Sequence, residues 1–178
     1  MRIISGKLGG RQFDAPKGHR THPMSERVRG ALFGTLGDIS GLTVLDAFAG
    51  SGALSLEAIS RGSGHVTAID IDKNAHTTIQ KNIAGLGLGK SQIKAIRANC
   101  SGWSDNNPDQ EFDLVFAAPP YDDLQINSVS KMIKHAKSGG LFVLDWPGKQ
   151  ELPVLEELKL LDQKNYGDAQ LAFYRKTG

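Results

Sequence analysis

The sequence predicts a doubly wound α/β fold: a Rossmann-like sheet of about seven strands, mostly parallel with one antiparallel strand near the carboxyl-terminal edge, and helices on both faces. Three observations predict it. Val44 and Leu45 end an apolar run, and Asp46, Gly50-Ser51-Gly52 and a helix-like stretch from Ala53 to Arg61 follow. A second short apolar run, Val66 to Ile69, stops at Asp70 on the schedule of a βαβ unit. Apolar runs then alternate with amphipathic stretches to the end of the chain. The 178 residues suit one domain, expected over 41–178, behind an N-terminal extension over 1–40 made of a basic hairpin and a helix.

The first turn is the most informative stretch. Gly50-Ser51-Gly52 makes a tight turn in which no side chain blocks a ligand. Leu54, Leu56, Ala58 and Ile59 give the following helix its apolar face. Strand, glycine turn and helix open a cofactor crevice at the carboxyl edge of such a sheet. The spacing is not that of the dinucleotide fingerprint, and an acid at the strand end repels a pyrophosphate. Asp46 suits a cofactor with a cationic or hydroxylic part. Asp70, ending the next strand, suits ribose hydroxyls. An ordinary βα turn with a surface acid is the alternative, and the second acid tips the balance against it.

The remaining elements follow in order. Arg2-Ile3-Ile4 and Arg11-Gln12-Phe13 flank Gly6 and Gly9-Gly10 as a small hairpin. Ser25 is a candidate N-cap for a helix to about Leu36, whose stripe is Val28, Leu32 and Leu36, with Arg27 and Arg29 pointing elsewhere. Helices are expected over Asp72–Ala84 and Leu124–Ala136, with a short one over Leu152–Leu158. Strands are expected at Gln92–Ile96, Phe112–Phe116 and Leu141–Leu144. Residues 105–110 read as a polar loop. Leu158–Leu161 and Gln170–Tyr174 read as a closing antiparallel pair turning at Tyr166-Gly167-Asp168. Trp103 is either packing or a wall of the crevice.

The segment VLDAFAGSGALSLEA, Val44 to Ala58, resembles motif I of S-adenosylmethionine-dependent methyltransferases. It is longer and more specific than a generic glycine turn. More narrowly, it is similar to the bacterial RsmD family of 16S rRNA guanine-N2 methyltransferases. His22-Pro23-Met24-Ser25-Glu26-Arg27-Val28-Arg29-Gly30-Ala31-Leu32-Phe33-Gly34 is similar to that family's R-P-T-S-D-R-V-R-E-A-L-F-N segment, except at His22, Met24, Gly30 and Gly34; Glu26 keeps the acid. The resemblance implies a methyltransferase sheet with S-adenosylmethionine bound and S-adenosylhomocysteine as product. It places the donor at Asp46, Phe48, Ala49, Gly50, Ser51, Gly52, Asp70, Ile71 and Asn99. Asn99, after the third strand, is there an adenine contact. A turn-forming Asn is the equal alternative.

The strongest chemical signal is Ala118-Pro119-Pro120-Tyr121, at the end of the fourth strand. Amino-methyltransferases carry Asp/Asn-Pro-Pro-Tyr/Phe there. The amine of a base is a poor nucleophile because its lone pair is delocalised into the ring. The Asp/Asn oxygen and the first proline's carbonyl hold its protons and localise that lone pair. The prolines aim the carbonyl, and the aromatic ring stacks on a base drawn out of its helix. Here Pro119, Pro120 and Tyr121 stand as candidate catalytic residues, and Ala118 replaces the acceptor. Three explanations compete: weak transfer through the Pro119 carbonyl and Tyr121, an acid such as Asp122 or Asp123 swinging in, or a silent protein that binds donor and RNA, such as a ribosome-assembly factor.

Composition bounds the partners. The net charge of +2 conceals a basic head: Met1 to Leu36 holds seven Lys/Arg against Asp14 and Glu26. Arg2, Lys7, Arg11, Lys17 and Arg20 are the candidate RNA contacts. No run is long enough for a membrane span, the N-terminus lacks a signal-peptide core, and the single Cys100 excludes an internal disulfide. No metal-ligand spacing occurs. The expectation is a cytoplasmic monomer that methylates a guanine N2 amine in 16S rRNA, free or within a 30S subunit or its assembly intermediate.

Overall fold

In the computed structural model, which describes residues 1–17 and 24–178, seven strands form one sheet. β1 (Thr43–Ala47), β2 (His65–Asp70), β3 (Ile93–Arg97), β4 (Phe112–Ala117), β5 (Ala136–Pro147), β6 (Leu158–Asn165) and β7 (Ala169–Lys176) lie in the order β3-β2-β1-β4-β5-β7-β6. β1 to β5 are mutually parallel, and β7 runs antiparallel to both β5 and β6. The order reverses at β1, where a doubly wound sheet opens its ligand crevice. Apolar residues on β1, β4 and β5 are buried on both faces, as a sheet covered by helices on both sides requires.

The pleat divides these strands between two cores. Leu45, Ala47, Val115, Phe142 and Leu144 pack with Trp103, Val129 and Met132, on the side of α4 (Cys100–Asn106) and α5 (Ile126–Met132). Val44, Leu114, Phe116, Val143 and Phe173 pack with Val28, Leu32, Leu54, Ala58 and Ile79. Those come from α1 (Glu26–Leu36), α2 (Ala53–Ser60) and α3 (Lys73–Gly85). The expected cap forms at Ser25, whose hydroxyl accepts from the Val28 N–H at 3.2 Å; Asp72, expected inside its helix, caps it, its carboxylate accepting from the Ala75 N–H at 2.9 Å.

Several expectations are corrected. Residues 100–106 form α4 where the sequence suggests no helix, because Ser, Gly, Asp and Asn are poor helix formers. The Asn99 cap and the burial of Cys100 and Trp103 compensate. Trp103 is therefore packing. The helix expected over 124–136 stops at Met132, passes through a 3₁₀ turn at Ile133–His135, and yields to a longer β5. No helix forms over 152–158, since Pro153 disfavours a helical Leu152. The N-terminal hairpin forms around an antiparallel bridge of Arg2 to Gln12, with the Ile3 N–H on the Arg11 carbonyl at 2.9 Å, the Gly10 N–H on the Ile3 carbonyl at 2.8 Å and the Phe13 N–H on the Met1 carbonyl at 2.9 Å. Its remaining donors fasten it to α2: the Ile4 and Ser5 N–H groups reach the Glu57 carboxylate at 2.9 and 3.1 Å, and Lys7 N–H reaches the Ser60 carbonyl at 2.8 Å. Gly6 sits so close that a Cβ would lie 1.9 Å from the Ser60 carbonyl oxygen.

Arg29 does not point away from the body. It is fully buried, with Nε 3.5 Å from Glu57 and a hydrogen bond from Nη2 to the Arg2 carbonyl. Glu57, also fully buried, takes Arg61 at 2.9 Å as well. One carboxylate thus joins the N-terminal segment, α1 and α2. Breaking a buried pair leaves an uncompensated charge, so Arg29→Ala is expected to cost about 3–5 kcal/mol in urea denaturation. Arg2→Ala, which removes an exposed pair with Glu26, is expected to cost under about 1 kcal/mol.

Candidate active site

The ends of β1, β2, β4 and β5 meet on one edge. Ala47 pairs with Ile69 and with Ala117, and Ala117 pairs with Leu144. The residues that follow open into a cleft of about 430 Å³. Asp46, Phe48, Ala49, Gly50, Ser51, Asp70, Ile71 and Asn99 line it, together with Ala118, Pro119, Pro120 and Tyr121. Of the expected donor-site residues, Gly52 alone stays off the wall. It caps α2 with φ +82°, and a Cβ there would lie 2.6 Å from Ile79.

The turn is held by its acids. Asp70 accepts the Gly50 N–H at 2.8 Å on one oxygen and the Asp72 N–H at 2.9 Å on the other. Burial pushes its carboxyl above the usual range. Phe48, at φ +62°, and Gly50, at +56°, give the turn its left-handed bends. Asp46 is buried and accepts the Ser55 hydroxyl at 2.6 Å through Oδ2. Its Oδ1 is buried with no partner among the described residues. Burial pushes the Asp46 carboxyl up to about 7. An unpaired buried oxygen on a cleft wall is costly unless a ligand supplies the donor, and a cationic group suits it best. These features fit the amino-acid and ribose parts of S-adenosylmethionine. Asn99 spends its side-chain oxygen as the cap of α4, accepting from Ser101 and Gly102 N–H at 2.9 and 3.2 Å. Cys100 is buried, and burial pushes its thiol up to about 12, which suits packing and not nucleophilic attack.

At the other end of the cleft, the Pro120 carbonyl accepts the Asp123 N–H at 3.1 Å. No described group donates to the Pro119 carbonyl. Asp122 and Asp123 are exposed and lie off the cleft wall. The Tyr121 hydroxyl donates to Asp145 Oδ1. Burial, then the Asp145 charge, raises the Tyr121 phenol. Burial pushes Asp145 up to about 6, opposed by the Tyr121 hydrogen bond. Asp145 on the cleft wall escapes the sequence reading, and Tyr166 and Asp168, read there only as a turn, line the cleft as well. Asp145 had a signal: it breaks the run Leu141 to Trp146 one residue past Leu144, much as Asp46 and Asp70 end their strands.

The N-terminal segment reaches the rim through Pro16, Met24, Ser25 and Val28. Lys7 and Lys17 are exposed. Arg2 pairs with Glu26 at 3.1 Å, and Arg11 reaches the Gly85 carbonyl at 3.4 Å. Arg20 lies outside the described residues.

Residues 1–175 match the family described as "Conserved hypothetical protein 95". The chain is 31% identical to "Putative rRNA methyltransferase YlbH" of Bacillus subtilis, with all of both chains covered. It is 30% identical to "Ribosomal RNA small subunit methyltransferase D" of Buchnera aphidicola, covering 97% of this chain and 91% of that one. The structure titled "Putative methyltransferase yhhF from Escherichia coli" superposes with a TM-score of 0.85 at 28% identity, covering 99% of this chain and 98% of that one. With a match over nearly its whole length and a cleft that fits the methyl donor, the chain belongs to this family and is an S-adenosylmethionine-dependent methyltransferase.

Proposed function

We propose that the enzyme methylates a guanine N2 amine of small-subunit rRNA. One observation carries this reading: a single cleft joins the acid-and-glycine turn at one end to Pro119-Pro120-Tyr121 at the other. Relatives named for the small ribosomal subunit support the rRNA, and the exposed Lys7 and Lys17 of the N-terminal segment, Lys17 next to Pro16 on the rim, support an anionic partner.

In this reading Asp46 holds the donor's ammonium group and Asp70 the ribose hydroxyls. Phe48 to Gly52 close around the methionine end. Ile71, 59% exposed on the wall, covers the adenine, and the amide of Asn99 stands beside it. Bound there, the donor supplies an electrophilic methyl group on a sulfonium. Pro119 presents an unengaged carbonyl to one amine proton, and Tyr121 stacks on the base. Arg2, Lys7, Arg11, Lys17 and Arg20 meet phosphates, with Arg2 and Arg11 first giving up their present partners. The N-terminal segment, 1–40, faces the RNA as an extension of the sheet domain. A silent donor-and-RNA-binding protein is the second reading, and Ala118 is the residue that favours it.

The donor assignment is checked by calorimetry. Asp70→Ala is expected to weaken donor binding by about tenfold or more, the loss of roughly 1.4 kcal/mol. Asp46 gives a pH signature with a definite sign. Its proton leaves near pH 7, and only the carboxylate attracts an ammonium group. Donor affinity therefore rises between about pH 6 and about pH 7.5, and Asp46→Asn flattens that rise. The same raised carboxyl makes the free protein lose stability as pH climbs from the ordinary carboxylate range to about 7, since there the native state binds more protons than the unfolded chain.

The substrate is checked with labelled donor and 30S subunits lacking N2-guanine methylation. Label is expected on guanine N2 of the 16S rRNA. Donor binding without transfer to 30S subunits, naked rRNA or assembly intermediates selects the silent reading. Changing Lys7 and Lys17 together to Ala should lower the slope of log affinity for RNA against log salt by about 1 for each phosphate that a lysine had neutralised.

A further inference from the structure

We propose that Asp145 is the acceptor that replaces the side chain missing at Ala118, and that it binds the target amine directly. This rests on reading the cleft as an amino-methyltransferase centre and identifies how that centre works without its usual Asp or Asn.

Strand register sets the two residues side by side. Ala117 pairs with Leu144 across parallel β4 and β5, so Ala118 and Asp145 follow as neighbours on strands about 4.8 Å apart. The pleat then puts them on the same face. Phe116 and Val143, two residues before each, both belong to the core under α1 and α2, and side chains two apart share a face. A carboxylate on Asp145 therefore enters the cleft from the strand next to the one that normally supplies it. Both residues line the same cleft wall.

The hydrogen bonding fits this role. Asp145 Oδ1 takes the Tyr121 hydroxyl, which fixes the carboxylate against the ring expected to stack on the base. No described group donates to Oδ2. An ionised carboxylate has acceptor sites to spare, so Oδ2 is available to one amine proton while the Pro119 carbonyl is available to the other. The small side chain of Ala118 then has a purpose. A second carboxylate there would crowd Asp145 with like charge. In the transfer, the amine nitrogen forms the bond to the methyl carbon, the electrons of the carbon–sulfur bond stay on sulfur, and one amine proton passes to Asp145.

The test is methyl transfer from labelled donor to 30S subunits lacking N2-guanine methylation, with calorimetric donor binding measured on the same preparations. Asp145→Ala is expected to lower turnover on the order of 10²-fold while donor affinity stays within about twofold. Adding Ala118→Asp to Asp145→Ala should return at least about tenfold of that loss, because the carboxylate re-enters from the neighbouring strand. If Asp145→Ala proves unstable, Asp145→Val, suited to a strand, carries the same comparison. A role limited to holding Tyr121 predicts something else: Tyr121→Phe would cost as much as Asp145→Ala, and Ala118→Asp would rescue nothing. Either that pattern or full turnover in Asp145→Ala overturns the inference while leaving the functional reading intact. A wild-type protein that binds donor but transfers to no rRNA substrate overturns both.

Discussion

The structure depends on the shared register of four parallel strands. β1, β2, β4 and β5 are hydrogen bonded in a register that sets Ala47, Ile69, Ala117 and Leu144 in one row. The residues that follow this row, Phe48, Asp70, Ala118 and Asp145, all line the cleft. The row costs nothing in unpaired backbone where the sheet continues, and beyond it the freed N–H groups are reused. Gly50 N–H, beyond the end of the ladder, is taken by Asp70. The cleft opens where β1 and β4 leave the sheet, while β2 pairs on with β3 at Asp70 and β5 runs on along β7 to Pro147.

The carboxylates along this edge differ in how they are satisfied, and the differences sort their uses. Asp70 has both oxygens on backbone N–H groups, which holds it rigid and leaves lone pairs for hydroxyls. Asp46 has one oxygen on Ser55 and one with no partner among the described residues, so its charge is poorly accommodated until a cation arrives. Asp145 has one oxygen on Tyr121. Buried acids of this kind favour the proton, and each gains from a ligand that favours the charge. The site is therefore less stable empty than a purely structural edge would be, a pattern expected where binding is the purpose.

A second kind of buried carboxylate, Glu57, works in the opposite sense. It is satisfied from all sides by Ile4, Ser5, Arg29 and Arg61. Through it the N-terminal segment is fastened to α2, the helix that begins at the donor turn. Ile3 and Phe13 add apolar contact with Ala53 and Leu56 on the same helix. The segment that carries the exposed lysines is thereby packed on the helix that follows Gly50-Ser51-Gly52.

Much of this was legible in the sequence because it is written in local pattern. Apolar runs, glycine turns and acids at strand ends need only neighbours along the chain, so the parallel sheet, the donor turn and the Pro119-Pro120-Tyr121 corner could be read directly. The cap at Ser25 belongs to the same class. What depends on residues far apart could not be read. Arg29 looks like a surface charge until Glu57, 28 positions on, is packed beneath it. The hairpin of residues 2–13 shows what it is fastened to only when Glu57 and Ser60 of α2 are brought beside it. Residues 100–106 look like a loop until burial of Trp103 outweighs their weak helix propensity. Asp145 looks like a stray acid in an apolar strand until the β4–β5 register sets it beside Ala118. Propensity and period act within a few residues. Burial, pairing and register act across the sheet, and only the assembled tertiary structure brings those partners together.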